Sequence, residues 1–191
     1  MEHAPLFPLN TLLFPGTRLA LKIFEQRYLE MVKDCLKNEK DFVVVLISKG
    51  QETGVVPEVF SVGTRARIVD WNLLEGGLLG VVVEGGERVS IASAKGVLGE
   101  LLIGETEVLD DHGELDQASD AEFETLLQKL EQHPLVQAQG MAIDYHDLNS
   151  VMWGLSSLLP FSNTEKQSLL ELDDPQVRYQ TLQQMLHALE G

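Results

Sequence analysis

The sequence predicts an α+β fold in two parts: a β-rich part over residues 1–110 with one inserted helix, then a helical bundle over residues 111–191. Up to residue 108, apolar residues alternate or stand in short β-branched runs punctuated by glycine, as strands and turns require. From residue 119 they recur at three- and four-residue spacings, as on the buried faces of helices. Between these patterns, Leu109-Asp110-Asp111-His112-Gly113-Glu114-Leu115-Asp116-Gln117-Ala118 is polar and acidic, and marks the boundary.

Taken in order, Leu6, Phe7 and Leu9 predict a short strand. Pro5 and Pro8 cannot donate to a ladder, which places that strand at an edge or at the start of a sheet. Phe14-Pro15-Gly16 predicts a type II turn, because proline presets φ and glycine admits the positive φ of the next position. Leu19, Leu21 and Ile23 alternate as a half-buried strand, and Phe24, Tyr28, Met31 and Cys35 then share one helical face. After the polar break at 37–41, Phe42-Val43-Val44-Val45-Leu46-Ile47 predicts a strand covered on both faces. Residues 49–57, with Gly50 and Gly54, read as a loop, and residues 60–71 as a strand. Glu75-Gly76-Gly77 is a turn, 78–83 another strand, Glu84-Gly85-Gly86 a second turn or bulge, and 98–108 the last strand. Short strands joined by glycine turns suggest a small twisted or barrel-like sheet.

In the helical part, Ser119-x-x-Glu122 and Ser162-x-x-Glu165 have capping-box spacing. Phe123, Leu126, Leu127 and Leu130 form the first face, which His133-Pro134 stops. Asp147 reads as the N-cap of a helix with Leu148, Val151, Met152, Leu155, Leu158 and Leu159, ended by Pro160. Leu169, Leu170 and Leu172 follow Ser162, and Asp174-Pro175 opens a final helix lined by Leu182, Met185, Leu186 and Leu189. Four helices with short connections make a bundle.

Several of these motifs together resemble the N-terminal, substrate-binding domain of Lon proteases, a domain that also occurs without the protease. They are Pro8-Leu9, Phe14-Pro15-Gly16, Phe24-Glu25-x-Arg27-Tyr28, Gly63-Thr64-x-Ala66-Arg67-Ile68, Gly85-x-x-Arg88-x-x-Ile91 and Leu159-Pro160 with Glu165-Lys166-Gln167, followed by Arg178. The resemblance implies a PUA-like pseudo-barrel for the first part. It also implies a non-catalytic, bacterial-type cytoplasmic protein related to the S16 peptidases, with unfolded or extended polypeptides as partners. An ATP-dependent protease is a further partner on this reading.

Composition bounds the rest. The net charge is −16: residues 1–110 carry 11 Lys/Arg against 16 Asp/Glu, and residues 111–191 carry 3 against 14. Such a field repels phosphate backbones and argues against nucleic-acid binding; on its own it also serves solubility. The apolar runs are too short to span a bilayer, and no basic region precedes an apolar N-terminal segment, so neither membrane insertion nor secretion is expected. A lone Cys35 on an apolar helical face reads as a buried, inert thiol in a reducing compartment.

Candidate chemistry is sparse. Lon-type proteolysis needs a Gly-x-x-x-x-Gly-Lys-Ser/Thr phosphate loop and a serine activated by a lysine. This sequence has no such loop, and Ser48-Lys49, adjacent on a strand, point to opposite faces. His3, His112, His133, His146 and His187 show no paired metal-ligand spacing, and Asp144-x-His146-Asp147 is better read as capping, so no metal or cofactor is expected. Arg65, Arg67 and Arg88 read either as a fork for a peptide carboxylate or as structural ion pairs with Glu84, Glu87 or Asp70. Trp71-Asn72-Leu73-Leu74 beside a glycine turn is either an exposed apolar patch or tucked under the bundle.

The expected function is therefore polypeptide binding without catalysis, with Trp71, Leu73, Leu74, Arg67 and Arg88 as contact residues. Extended peptides would add to the strand near residues 5–9 or lie in the groove between the two parts. The alternatives are an adaptor that docks onto an ATP-dependent protease, or a small-molecule hydrolase using that groove.

Overall fold

A computed structural model describes residues 1–52, 56–96 and 101–190. The strands are β1 (Glu2–Leu9), β2 (Arg18–Ile23), β3 (Phe42–Lys49), β4 (Glu58–Leu73), β5 (Leu79–Lys95) and β6 (Leu102–Val108). The helices are α1 (Gln26–Asn38), α2 (Ala121–Glu131), α3 (Pro134–Gln137), α4 (Leu148–Leu158), α5 (Asn163–Glu171) and α6 (Pro175–Glu190), with a 3-10 turn at Glu75–Gly77. The strands order as β2-β5-β4-β3-β1-β6, and a further β5–β6 pairing closes the ring, so the sheet is a pseudo-barrel.

β1 lies between β3 and β6, and among the described residues each of its halves has a single ladder. Its residues 2–6 pair antiparallel with β6, and residues 6–9 pair parallel with β3. The prolines are tolerated because the strand changes partner at Leu6. Pro5 and Pro8 each lie in a half with one ladder and one side unpaired among the described residues. The Phe14-Pro15-Gly16 turn forms as expected: the Thr17 amide donates to the Phe14 carbonyl at 3.1 Å, and Gly16 has φ 72°.

α1 starts at Gln26, later than the Phe24 face implied. Phe24 therefore precedes the helix and is 61% exposed, while Tyr28, Met31, Val32 and Cys35 pack into the barrel core with Phe7, Leu21, Phe42 and Val83. Tyr28 packs on Phe7 with ring centroids 4.2 Å apart, and the Arg27 guanidinium lies 4.6 Å from the Tyr28 ring centre. Burial, then Asp34 and Asp41, pushes the Cys35 thiol up to about 11, so it stays protonated at neutral pH.

The turn at Glu75-Gly76-Gly77 forms between β4 and β5, and β5 runs on through Gly85 and Gly86. Glu84-Gly85-Gly86 is a bulge within β5, where the register with β4 shifts between Thr64 and Ala66. The final strand begins at Leu102; residues 98–100 of the expected strand, and Gly54 of the expected loop, lie outside the described residues.

In the helical part the cap of α2 is Asp120, one residue after the expected Ser119. Its Oδ1 accepts from the Glu122 and Phe123 amides, and its Oδ2 accepts from the Tyr179 hydroxyl of α6 at 2.7 Å. One carboxylate thus caps one helix and holds another, and the bond to Asp120 with burial pushes the Tyr179 hydroxyl up to about 12. His133-Pro134 does more than end α2: the His133 ring accepts from the Leu135 amide and starts α3, a helix the spacing did not suggest. Asp147 caps α4, and Ser162 with Glu165 forms the full capping box on α5. Pro175 is the first residue of α6.

The two parts share a core. Leu12, Phe14, Leu46 and Val62 from the barrel pack with Trp153 of α4 and Leu170 of α5, and Phe14 stacks on Trp153 at 5.7 Å. The buried Gln167 amide donates to the Val62 carbonyl at 3.1 Å. The division at residues 110 and 111 is our proposal, and limited proteolysis tests it. A Glu-specific protease should cut first at exposed Glu114, and the two fragments should co-elute on a sizing column without denaturant. Fragments that separate there would show that this shared core does not hold the parts together.

Candidate functional site

The long β4–β5 hairpin positions most of the residues singled out by the sequence. β3 pairs with β4 only as far as Ala66, so from Arg67 to Leu73 the outer edge of β4 has no ladder among the described residues. Trp71 pairs across to Val81 and Leu73 to Leu79, and Val69, Trp71 and Leu73 are exposed, at 38%, 54% and 74%. Trp71 and Leu73 are strand residues on an open edge, not residues tucked under the bundle. Leu74 behaves differently: it is half-buried and lies against Gly80, where an added Cβ would come within 3.2 Å of its side chain.

The arginines do not form one fork. Arg67 NH2 donates to Glu84 Oε1 at 2.7 Å, and Arg18 donates through Nε and NH2 to Glu84 Oε2 at 3.0 and 2.9 Å. Burial raises the Glu84 pKa, but the hydrogen bonds from Arg18 and Arg67 outweigh it and hold the carboxyl below its ordinary value. Its stabilising contribution is therefore complete above the ordinary carboxylate range and fades as pH falls through the lowered value. Arg65 pairs with Glu2 on a different flank.

Arg88 is only 3% exposed, so it is withdrawn from the surface. Its partners are not Glu84, Glu87 or Asp70. Its NH2 donates to Asp111 Oδ1 at 2.7 Å, and its NH1 to the Leu170 and Leu172 carbonyls at 2.8 and 3.0 Å and to Asp173 at 3.3 Å. Arg178, fully buried, also donates to Asp111 and lies 4.1 Å from the Trp153 ring centre. The signal for Arg178 was in the sequence: it stands four residues before Leu182, on the apolar face of α6. Asp111 and Asp173 carried no such signal, since both sit in acidic stretches.

The groove between the two parts has a volume of about 660 Å³ and is lined by Pro15, Arg67, Glu84, Glu87, Asp110 and Trp153, among others. Among the described residues its lining contains no serine, threonine, cysteine, lysine or histidine, hence no hydroxyl or thiol nucleophile with a histidine or lysine base. Among the described residues no group of three or more His, Cys, Asp or Glu is placed to hold a metal ion. Asp144 and Asp147 instead accept from the His146 and Asn149 amides. A second cavity, of about 250 Å³, lies between β1, β2 and the start of α1. Among the described residues no helix is long and apolar enough to cross a membrane.

The chain's sequence matches the family described as the ATP-dependent protease La (LON) substrate-binding domain over residues 3–188. The chain belongs to the Lon substrate-binding domain family. A Lon N-terminal domain protein from Xanthomonas campestris has a crystal structure that matches with a TM-score of 0.73 at 32% identity, covering 98% of both chains. The N-terminal domain of the Mycobacterium avium complex Lon protease shares the fold, with a TM-score of 0.70 at 18% identity over 95% of this chain and 96% of that one. Lon protease 1 of Bdellovibrio bacteriovorus is 23% identical over 180 residues; the match covers 89% of this chain and 22% of that relative's length. Within the Lon-domain family motifs, Phe14-Pro15-Gly16 and Gly85-x-x-Arg88 meet in space: the Gly16 amide donates to the Gly85 carbonyl at 2.8 Å, and the Gly85 amide to the Thr17 carbonyl at 2.9 Å.

Proposed function

We propose that this chain is a non-catalytic receptor for unfolded or extended polypeptide. The observation that carries the reading is the open edge of β4, which offers unpaired backbone beside the exposed side chains Val69, Trp71 and Leu73. An exposed apolar edge strand invites pairing with another chain, and proteins otherwise blunt such edges. Here a client segment adds as a strand, its backbone pairing with residues 67–73 and its apolar side chains resting on Trp71 and Leu73. Arg67 flanks the edge, Leu74 braces the tip against Gly80, and Arg88 acts from behind by holding the groove's wall to the bundle. The family supports the same class of ligand, since its described role is substrate binding. The net charge of −16 keeps copies of the chain from pairing through this edge with one another.

The test uses a reduced, alkylated and fluorescently labelled protein as the unfolded client. Trp71→Lys with Leu73→Glu should weaken its capture by about tenfold or more, as for loss of an aromatic anchor, with the thermal midpoint nearly unchanged. A midpoint lower by several degrees with capture intact would make these residues structural and defeat the reading. An adaptor would behave differently: it would retain a folded ATP-dependent protease and show no affinity for the unfolded client.

A further inference from the structure

The hydrogen bonds of the β4–β5 hairpin fix which backbone groups the open edge of β4 presents. The Leu74 amide donates to the Leu78 carbonyl at 2.8 Å, so these two residues are a hydrogen-bonded pair. Bonded and non-bonded pairs alternate along an antiparallel ladder. The register runs unbroken from Leu73–Leu79 to Asp70–Val82. Asn72 and Asp70 therefore bond to β5, while Leu73 and Trp71 turn their amides and carbonyls to the open edge. The far side of β5 gives the same phase. The Gly85 amide donates to the Thr17 carbonyl at 2.9 Å, and the register with β2 continues from there without a shift. Val83, Val81 and Leu79 thus bond to β2, which leaves Val82 and Gly80 for Asp70 and Asn72. The outward Trp71 amide already has a partner: it donates to Asp70 Oδ1 at 2.8 Å. Asp70 is exposed and forms no ion pair among the described residues. Arg67, the one cation in residues 67–79, is held by Glu84 at 2.7 Å.

We propose that Asp70 guards the β4 edge and selects what adds to it: an extended segment with a lysine or arginine beside Asp70 and apolar residues beside Trp71 and Leu73. This deepens the polypeptide-binding reading and rests on it. A strand that pairs with the edge needs the Trp71 amide for one of its own carbonyls, so the Asp70 carboxylate has to leave that amide. Side chains alternate along a strand, so Asp70 and Asn72 share the face opposite Trp71 and Leu73. The client residue level with Asp70 lies on that same face, its Cβ about 5 Å away. A cationic side chain there takes up the displaced carboxylate, a neutral one leaves it to water, and an acidic one is repelled. Level with residues 70 to 73, the client therefore reads basic, apolar, polar, apolar.

The probes are acetylated, amidated Lys-Val-Thr-Val-Lys, Gln-Val-Thr-Val-Gln and Glu-Val-Thr-Val-Glu, whose patterns read alike in either strand direction. Each is titrated into the whole isotope-labelled chain and followed by amide NMR, with shifts expected at residues 69–73. The lysine peptide should bind about threefold more tightly than the glutamine one, and the glutamate peptide about threefold more weakly. Asp70→Ala should abolish that order and, by freeing the Trp71 amide, tighten the glutamine peptide about threefold. Asp70→Lys should invert the order. Glu114→Lys makes the same charge change in the acidic stretch after β6 and should leave the order as it was. A lysine preference that survives Asp70→Lys, that Glu114→Lys removes equally, or that is absent from the wild-type chain while residues 69–73 still shift would overturn the selection by Asp70 and leave the β4 edge standing. If no peptide shifts residues 69–73, the selection falls. The edge reading falls with it when Trp71→Lys with Leu73→Glu also leaves capture of the labelled unfolded client unchanged.

Discussion

Gly85→Ala should destabilise the chain by about 3 kcal/mol or more, the upper range for forced overpacking combined with disrupted backbone hydrogen bonds. The reason is close approach, not backbone conformation. A Cβ at Gly85 would lie 2.1 Å from the Phe14 carbonyl oxygen and 2.9 Å from its carbon, and these are backbone atoms of a tight turn that cannot rotate away. Moving the turn would break the Gly16 to Gly85 and Gly85 to Thr17 hydrogen bonds that hold it to the bulge. It would also shift Phe14, which is buried and stacked on Trp153 of the bundle. Gly86→Ala is the matched control. A Cβ there would meet only Arg65 at 3.7 Å, an ordinary contact, so its effect should stay within about 0.5 kcal/mol. Urea unfolding of both variants, compared by midpoint at constant slope, measures the difference. Equal midpoints for the two would mean that the turn and the bulge are not rigidly joined.

That contact explains which parts of the fold were legible in the sequence. The turn at Pro15-Gly16, the cap at Asp147 and the capping box at Ser162 are local, set by residues within four positions of one another, and each forms where the sequence placed it. The all-valine centre of β3 was equally legible, because a run apolar on both faces has to be covered on both. What was not legible depends on distant chain. β1 splits its pairing between two partners because β6, about a hundred residues later, takes residues 2–6 while β3 takes residues 6–9. Glu84-Gly85-Gly86 could be a turn or a bulge on local grounds, and its pairing with β4 and the Phe14 turn decides for the bulge. Phe24 fitted the helical spacing of α1, yet the helix begins two residues later and leaves it in solvent. For the site, the apolar character of Trp71 and Leu73 could be read directly. Their exposure could not, since it follows from the β3 ladder ending at the Phe42–Ala66 pair while β4 continues.

Asp111→Ala should cost about 2–3 kcal/mol, because its side chain is 30% exposed while the two guanidinium groups that share it are 3% and 0% exposed and would lose their charged acceptor. Two cations depend on this one carboxylate. Asp111 Oδ1 accepts from Arg88 at 2.7 Å and from Arg178 at 2.6 Å, and Oδ2 accepts from Arg178 at 3.1 Å. Arg88 comes from β5 and Arg178 from α6, so the carboxylate also joins the barrel to the bundle. Burial lowers the Arg178 pKa, and Asp111 opposes that loss while Arg88 adds to it. Without Asp111 the two guanidinium groups would face each other with only neutral carbonyls, the Asn149 amide oxygen and the more distant Asp173 to accept from them. An arginine does not escape by deprotonating, so the charge has to remain or the site has to open to water. Asp111→Asn keeps the shape and removes the charge, and most of the loss should remain in that variant. Asp173→Ala should cost about 1 kcal/mol or less, because its contact with Arg88 is longer, at 3.3 Å, and its side chain is 44% exposed. Thermal and urea unfolding of the three variants would separate the effects. If Asp111→Ala and Asp173→Ala prove equally mild, the two arginines are neutralised by their carbonyl partners and the carboxylate is not what fastens the bundle to the barrel.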